Sequence, residues 1–139
     1  MIFPESLRPL AVAFFLSGIW NLFAASAYVF LIGTGSAGLP ADRFSALFIA
    51  LLLFTFAYLE ILSSFNIRQY LLVVGGVTIG RVLYVILLFS SILFVKGFPA
   101  DFWWTGVIDL LWSVLYLVLA ARSSEIRVRD LFLPRREAS

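Results

Sequence analysis

The stretch that decides the fold is Leu71–Val95, LLVVGGVTIGRVLYVILLFSSILFV. It is long enough to cross a hydrocarbon core of about 30 Å as a helix and carries a single charge, Arg81, near its middle. A guanidinium stays protonated at any accessible pH, so a partner must neutralise it within the protein. Five residues of the same run, Gly76–Gly80, form a GxxxG step. Such a step lets a neighbouring helix backbone approach closely, and it makes Gly76 and Gly80 the expected packing positions.

Three more apolar runs flank this one, at about Leu10–Ile32, Phe44–Leu62 and Phe102–Ala121. They are continuous rather than alternating. This points to helices and not strands, because a spanning segment must satisfy its own backbone polar groups. The chain of 139 residues is 63% hydrophobic and only 13% charged, well outside the range of a soluble domain. The expected fold is therefore all-α: a polytopic membrane protein with four transmembrane helices in a bundle, short loops, and one domain over residues 1–121. Residues 122–139 form a basic tail, with Ile126, Val128, Leu131, Phe132 and Leu133 placed to hold a segment in the membrane interface. The first run resembles a signal peptide, with Arg8 before it and Ala25-Ser26-Ala27 as a cleavage-like triplet. It continues apolar past that point and is read as a retained span.

Lys and Arg set the orientation. Arg8, Arg68, Arg122, Arg127, Arg129, Arg135 and Arg136 fall on the side of the termini, against Arg43 and Lys96 on the other. This bias places the termini in the cytoplasm. Gly38–Asp42 (GLPAD) and Gly97–Asp101 (GFPAD) precede the second and fourth runs. Shared helix-start chemistry explains both, and duplication of a helical hairpin is the alternative.

Polar residues recur at helical spacing in every run: Ser17, Asn21 and Tyr28; Glu60 and Ser64; Thr78, Arg81 and Tyr84; Thr105, Asp109, Ser113 and Tyr116, with Trp112 beside them. At about 1.5 Å per residue, Arg81 and Asp109 differ by only about 5 Å in depth. Asp109 is therefore the expected partner of Arg81, with Asn21 as a nearby hydrogen-bonding group. Glu60, closer to the inner surface, is the weaker candidate. The polar core is thus Arg81, Asp109, Asn21, Glu60, Tyr84, Trp112, Ser113 and Tyr116. Trp20 and Trp112 lie at mid-span, where they serve as packing or as the wall of a site for a flat apolar ligand.

The chain has no cysteine and no histidine. This excludes disulfides, thiolate chemistry and a histidine base or ligand. No phosphate-binding loop, dinucleotide fingerprint or metal-ligand cluster is present, and no cofactor or nucleic-acid partner is expected. An acid/base pair of Glu60 and Asp109 would suit isomerisation of an apolar substrate, but their different depths weigh against it.

The layout of four spans, short loops and an acid in the last span resembles the DoxX-like small bacterial membrane proteins. The matching residues are Gly80-Arg81-Val82-Leu83-Tyr84 and Ile108-Asp109-Leu110-Leu111. The resemblance implies a four-helix membrane fold, a bacterial inner-membrane location and an accessory role. Two functions are carried forward. The first is an integral-membrane accessory or scaffold protein, a subunit of a larger membrane complex or a homo-oligomer, in contact with membrane lipids. The second is binding or transport of a small apolar or anionic ligand, such as a lipid or quinone, at Arg81 and Asp109.

Overall fold

The computed structural model describes residues 5–34, 43–98 and 100–133. Four long helices follow one another: α1 (Arg8–Thr34), α2 (Arg43–Ser64), α3 (Leu71–Phe94) and α4 (Trp103–Arg122). No strand occurs among the described residues. All four helices are long and apolar enough to cross a membrane. Each extends one or two residues beyond, or stops one short of, the apolar run that predicts it, because Arg8, Arg43 and Arg122 keep helical geometry at the ends. Pro9 falls in the first turn of α1, where its missing N–H costs no helical hydrogen bond.

The helices pack as two hairpins, α1 on α2 and α3 on α4. The hairpins meet through α1 with α4 and through α2 with α3. Large apolar side chains such as Phe23, Leu87 and Leu111 face outward, an arrangement suited to hydrocarbon and costly in water. The α2–α3 connection is a series of tight turns closed by Asn66 N–H to Ser63 O at 3.1 Å and Gln69 N–H to Asn66 O at 3.0 Å. Gly97, at φ +80°, turns the chain after α3. The 3₁₀ turn Ala100–Phe102 then leads into α4. The first GxPAD segment, residues 38–42, lies outside the described residues, as does Pro99 of the second.

The tail departs from its expected place. Residues after Arg122 fold back, and the 3₁₀ turn Val128–Leu131 packs on α3 and α4. Ile126 and Leu131 are buried against Leu7, Leu10, Val74 and Ala120 instead of lying along an interface. Phe132 and Leu133 are exposed, and Val128 is partly so. Asp130 Oδ2 accepts from the Arg127 backbone N–H at 2.9 Å, which closes the turn. The described part of the tail thus seals the end of the bundle at which the described termini lie, called the terminal end below.

The close approaches also fall elsewhere than at the GxxxG step. A Cβ on Gly76 would meet nothing within 4 Å, and one on Gly80 would make only ordinary contact with the Phe56 ring at 3.5 Å. The tight positions are Gly18, where a Cβ would lie 2.7 Å from Ile61 Cγ1, and Gly106, 2.8 Å from Leu88 Cδ2. At Gly75 a Cβ would overlap the Leu131 carbonyl. Gly75 therefore admits the folded-back tail, and the GxxxG face is not the packing face within this chain.

Burial is uneven along the bundle. The largest fully buried side chains, among them Tyr116, Phe14, Leu7, Leu10, Ile67 and Leu131, all lie toward the terminal end. Beyond Arg81, toward the far end, the only buried residue described on α3 is Leu88. On α4 before Asp109 it is Gly106. On α1 after Asn21 it is Ala25, and on α2 before Glu60 the buried residues are Ala46, Ala50 and Ala57.

Candidate functional site

Every helix contributes to one polar cluster where the large-residue core ends. Arg81 is its centre and is only 6% exposed. Its Nη2 donates to Glu60 Oε1 at 2.8 Å and to Ser17 Oγ at 2.6 Å. Its Nη1 meets Asp109 Oδ1. The guanidinium thus bridges a carboxylate on α2 and another on α4 and also engages a hydroxyl on α1.

Glu60 is fully buried and densely hydrogen-bonded. Besides Arg81, it accepts from Ser17 Oγ at 3.1 Å, from Asn21 Nδ2 at 2.9 Å on its other oxygen, and weakly from the Tyr116 hydroxyl at 3.5 Å. Charge-assisted bonds of this kind are the strong ones, and a buried carboxylate needs them. Asp109 is 19% exposed on its side chain. Its Oδ2 has no hydrogen-bond partner among the described residues. The other open valence is Arg81 Nε, a buried N–H without an acceptor.

The expected Arg81–Asp109 pair forms, and Glu60, the weaker candidate by depth, pairs with Arg81 as well. Both reach Arg81, but Glu60 is the more deeply buried and the better bonded. The depth argument compared Cα heights only. In a helix the Cα–Cβ bond tilts toward the N-terminus. Arg81 therefore leans toward the start of α3, at the terminal end, while Glu60 leans up α2 toward Arg81. The two side chains close a gap that their Cα heights leave open.

The remaining expected residues divide. Asn21 joins the cluster through Glu60. Ser113 is buried and donates to the Asp109 backbone carbonyl at 2.8 Å, so it braces α4 without touching a charge. Tyr116 packs edge-on against Phe14, with ring centroids 5.2 Å apart, and Trp112 stacks on Tyr116 at 6.1 Å. These rings roof the core beneath the cluster. Tyr84 stands apart: it is 40% exposed and its hydroxyl pairs with Thr105 Oγ1 at 2.8 Å across the α3–α4 seam. Trp20 lies beside Phe23, away from the cluster. Ser17 was legible as a stripe residue on α1, but nothing in the sequence marked it as a direct ligand of Arg81. Its position one turn before Asn21, on the same face, was the available signal.

Among the described residues no group of His, Cys, Asp and Glu is arranged to hold a metal ion. No family model matches the chain, and neither a curated protein nor a solved structure shows significant similarity to it.

Proposed function

We propose that the chain is an integral protein of a bacterial inner membrane, with cytoplasmic termini, that binds or transports a small, largely apolar molecule between its two helical hairpins. The observation that carries this reading is the asymmetry of burial. Protein interiors are close-packed, and a four-helix bundle fills its axis with large side chains. Toward the terminal end this chain does so. Beyond Arg81 its buried positions, among the described residues, are alanines, one glycine and Leu88. Gly18 and Gly106 hold each hairpin together internally, so small residues there do not draw the two hairpins toward each other. We take the space between the hairpins there as a vestibule with apolar walls and a polar floor of Asp109, Arg81 and Asn21, the general make-up of a ligand site. Because two carboxylates, Glu60 and Asp109, already stand on the single guanidinium of Arg81, an anionic ligand is the weaker fit.

Native mass spectrometry of the protein released from mild detergent tests the reading. The wild type should retain a lipid-sized or smaller adduct. Val85→Trp, one turn beyond Arg81 on α3, should fill the vestibule and lose the adduct while keeping helix content. A wild type free of adducts, or a Val85→Trp protein that retains them, overturns the proposal.

The convergence of all four helices on Arg81 favours a second reading: the cluster locks helix register in an accessory or scaffold protein of a larger complex. In that case a partner should co-purify at fixed stoichiometry. The DoxX-like likeness belongs to this proposal and concerns layout and an accessory role.

A further inference from the structure

We propose that Asp109 is an exchange site for one unit of positive charge: a proton in the empty protein, replaced by the ammonium head of an apolar amine entering between the hairpins. The inference rests on the vestibule reading above and specifies the class of ligand. It begins with the charge count of the cluster, which holds two carboxylates and one guanidinium. Glu60 and Arg81 form a fully buried pair, and Glu60 accepts from Ser17 and Asn21 on its two oxygens. Those donors, with Arg81, stabilise the ionised form of Glu60. The pair is electrically complete, and Asp109 is the supernumerary anion.

Two carboxylates sharing one guanidinium leave one negative charge over in apolar surroundings, which favours uptake of a proton or a counter-cation. Arg81 pairs with Asp109 but is shared with Glu60, and no second cation stands among the described groups around it. α1 contributes Ser17 and Asn21, α2 contributes Glu60, and α3 contributes Arg81 and the phenol of Tyr84, which is bonded to Thr105. α4 adds Tyr116, whose hydroxyl is directed at Glu60. Asp109 is also the more exposed of the two acids, and its Oδ2 is free to bind a proton or an N–H donor. The cluster is not closed by its own side chains, since the buried Arg81 Nε–H also lacks an acceptor. Exchange conserves charge: the ammonium forms an N–H···Oδ2 bond, and the displaced proton leaves to bulk water.

The test uses the full chain in nanodiscs of zwitterionic lipid, with 4-(aminomethyl)biphenyl and its neutral N-acetyl derivative as probes. Calorimetry in two buffers of different ionisation enthalpy counts the protons released. The amine is expected to bind with release of about one proton, and the acetylated probe at least about tenfold more weakly. Asp109→Asn should abolish amine binding while retaining its melting transition. The infrared carbonyl band of a protonated carboxyl, present in the empty wild type, should disappear on amine binding, a readout that needs no variant to fold. Equal binding of both probes removes the cationic head and leaves the vestibule reading standing. Amine binding without proton release, or with the carboxyl band unchanged, removes the exchange. Binding of neither probe, with no adduct in native mass spectra, removes both.

Discussion

Replacing Arg81 by Met should be among the most destabilising single changes in the protein, and a second substitution at Glu60 should largely reverse it. The Arg81→Met change removes the bonds to Glu60 at 2.8 Å and to Ser17 at 2.6 Å, and the pairing with Asp109. It leaves Glu60, fully buried, with only Ser17, Asn21 and a long contact from Tyr116. Stranding one member of a buried pair costs roughly 3–5 kcal/mol. Charges about 4 Å apart at an effective dielectric of about 20 attract by about 4 kcal/mol, so the two routes agree. Adding Glu60→Gln to Arg81→Met removes the stranded charge and keeps an amide that can bond Ser17 and Asn21. Most of the loss should return, with a coupling energy of at least about 2 kcal/mol, above the roughly 0.5 kcal/mol expected of independent sites. Reversible unfolding in mixed micelles of increasing SDS fraction measures all three variants against wild type. Additive costs for the two substitutions would show that Glu60 and Arg81 do not form a coupled pair, and the account of the cluster would fail.

Asp109→Asn should cost less than either change at the pair, below about 2 kcal/mol in the same assay, because the amide retains an oxygen for Arg81 Nη1 and Glu60 still balances the guanidinium. A loss as large as that of Arg81→Met would contradict the ranking. Gly75→Ala should destabilise by about 1–3 kcal/mol through overlap with the Leu131 carbonyl, and limited proteolysis should then cut after Arg122. Gly76→Ala, its neighbour with open space, should be neutral or stabilise by up to about 1 kcal/mol. The reverse order would place the GxxxG step, and not the tail, at the packing face. Tyr116→Phe should cost under about 1 kcal/mol, since its hydrogen bond to Glu60 is long while its packing on Phe14 survives. A larger loss in the SDS titration would make that hydroxyl a principal ligand of Glu60.

The four helices were legible because a long apolar run admits few alternatives to helix, and their ends follow the runs closely. The polar cluster was legible as a set, since helical spacing alone places Asn21, Arg81, Asp109 and Ser113 on inward faces. The tail was not. Ile126 and Leu131 read equally well as an interface anchor or as a plug. What decides between these is the absence of a side chain at Gly75, which opens a slot for the Leu131 backbone. A glycine pair offers no local sign of which member is approached. Periodicity drew attention to Gly76 and Gly80, whereas the tertiary contact uses Gly75.

That Glu60 joins Asp109 on Arg81, and is the more deeply buried, was hidden for a different reason. Helical rise fixes where a Cα lies along the bundle, but an arginine side chain reaches several ångströms, and its direction depends on which way its helix runs. α2 and α3 are antiparallel neighbours, so the side chains of Glu60 and Arg81 tilt toward one another. α4 also runs opposite to α3, but there the tilt carries Asp109 toward the far end, away from the deepest part of the core. One acid is thus drawn into the packed half and saturated by α1, while the other is left less buried, with an oxygen to spare among the described residues. The same geometry that buries Glu60 against Arg81 leaves Asp109 the less buried of the two acids on that guanidinium. A functional role for this cluster should therefore be sought at the less buried acid.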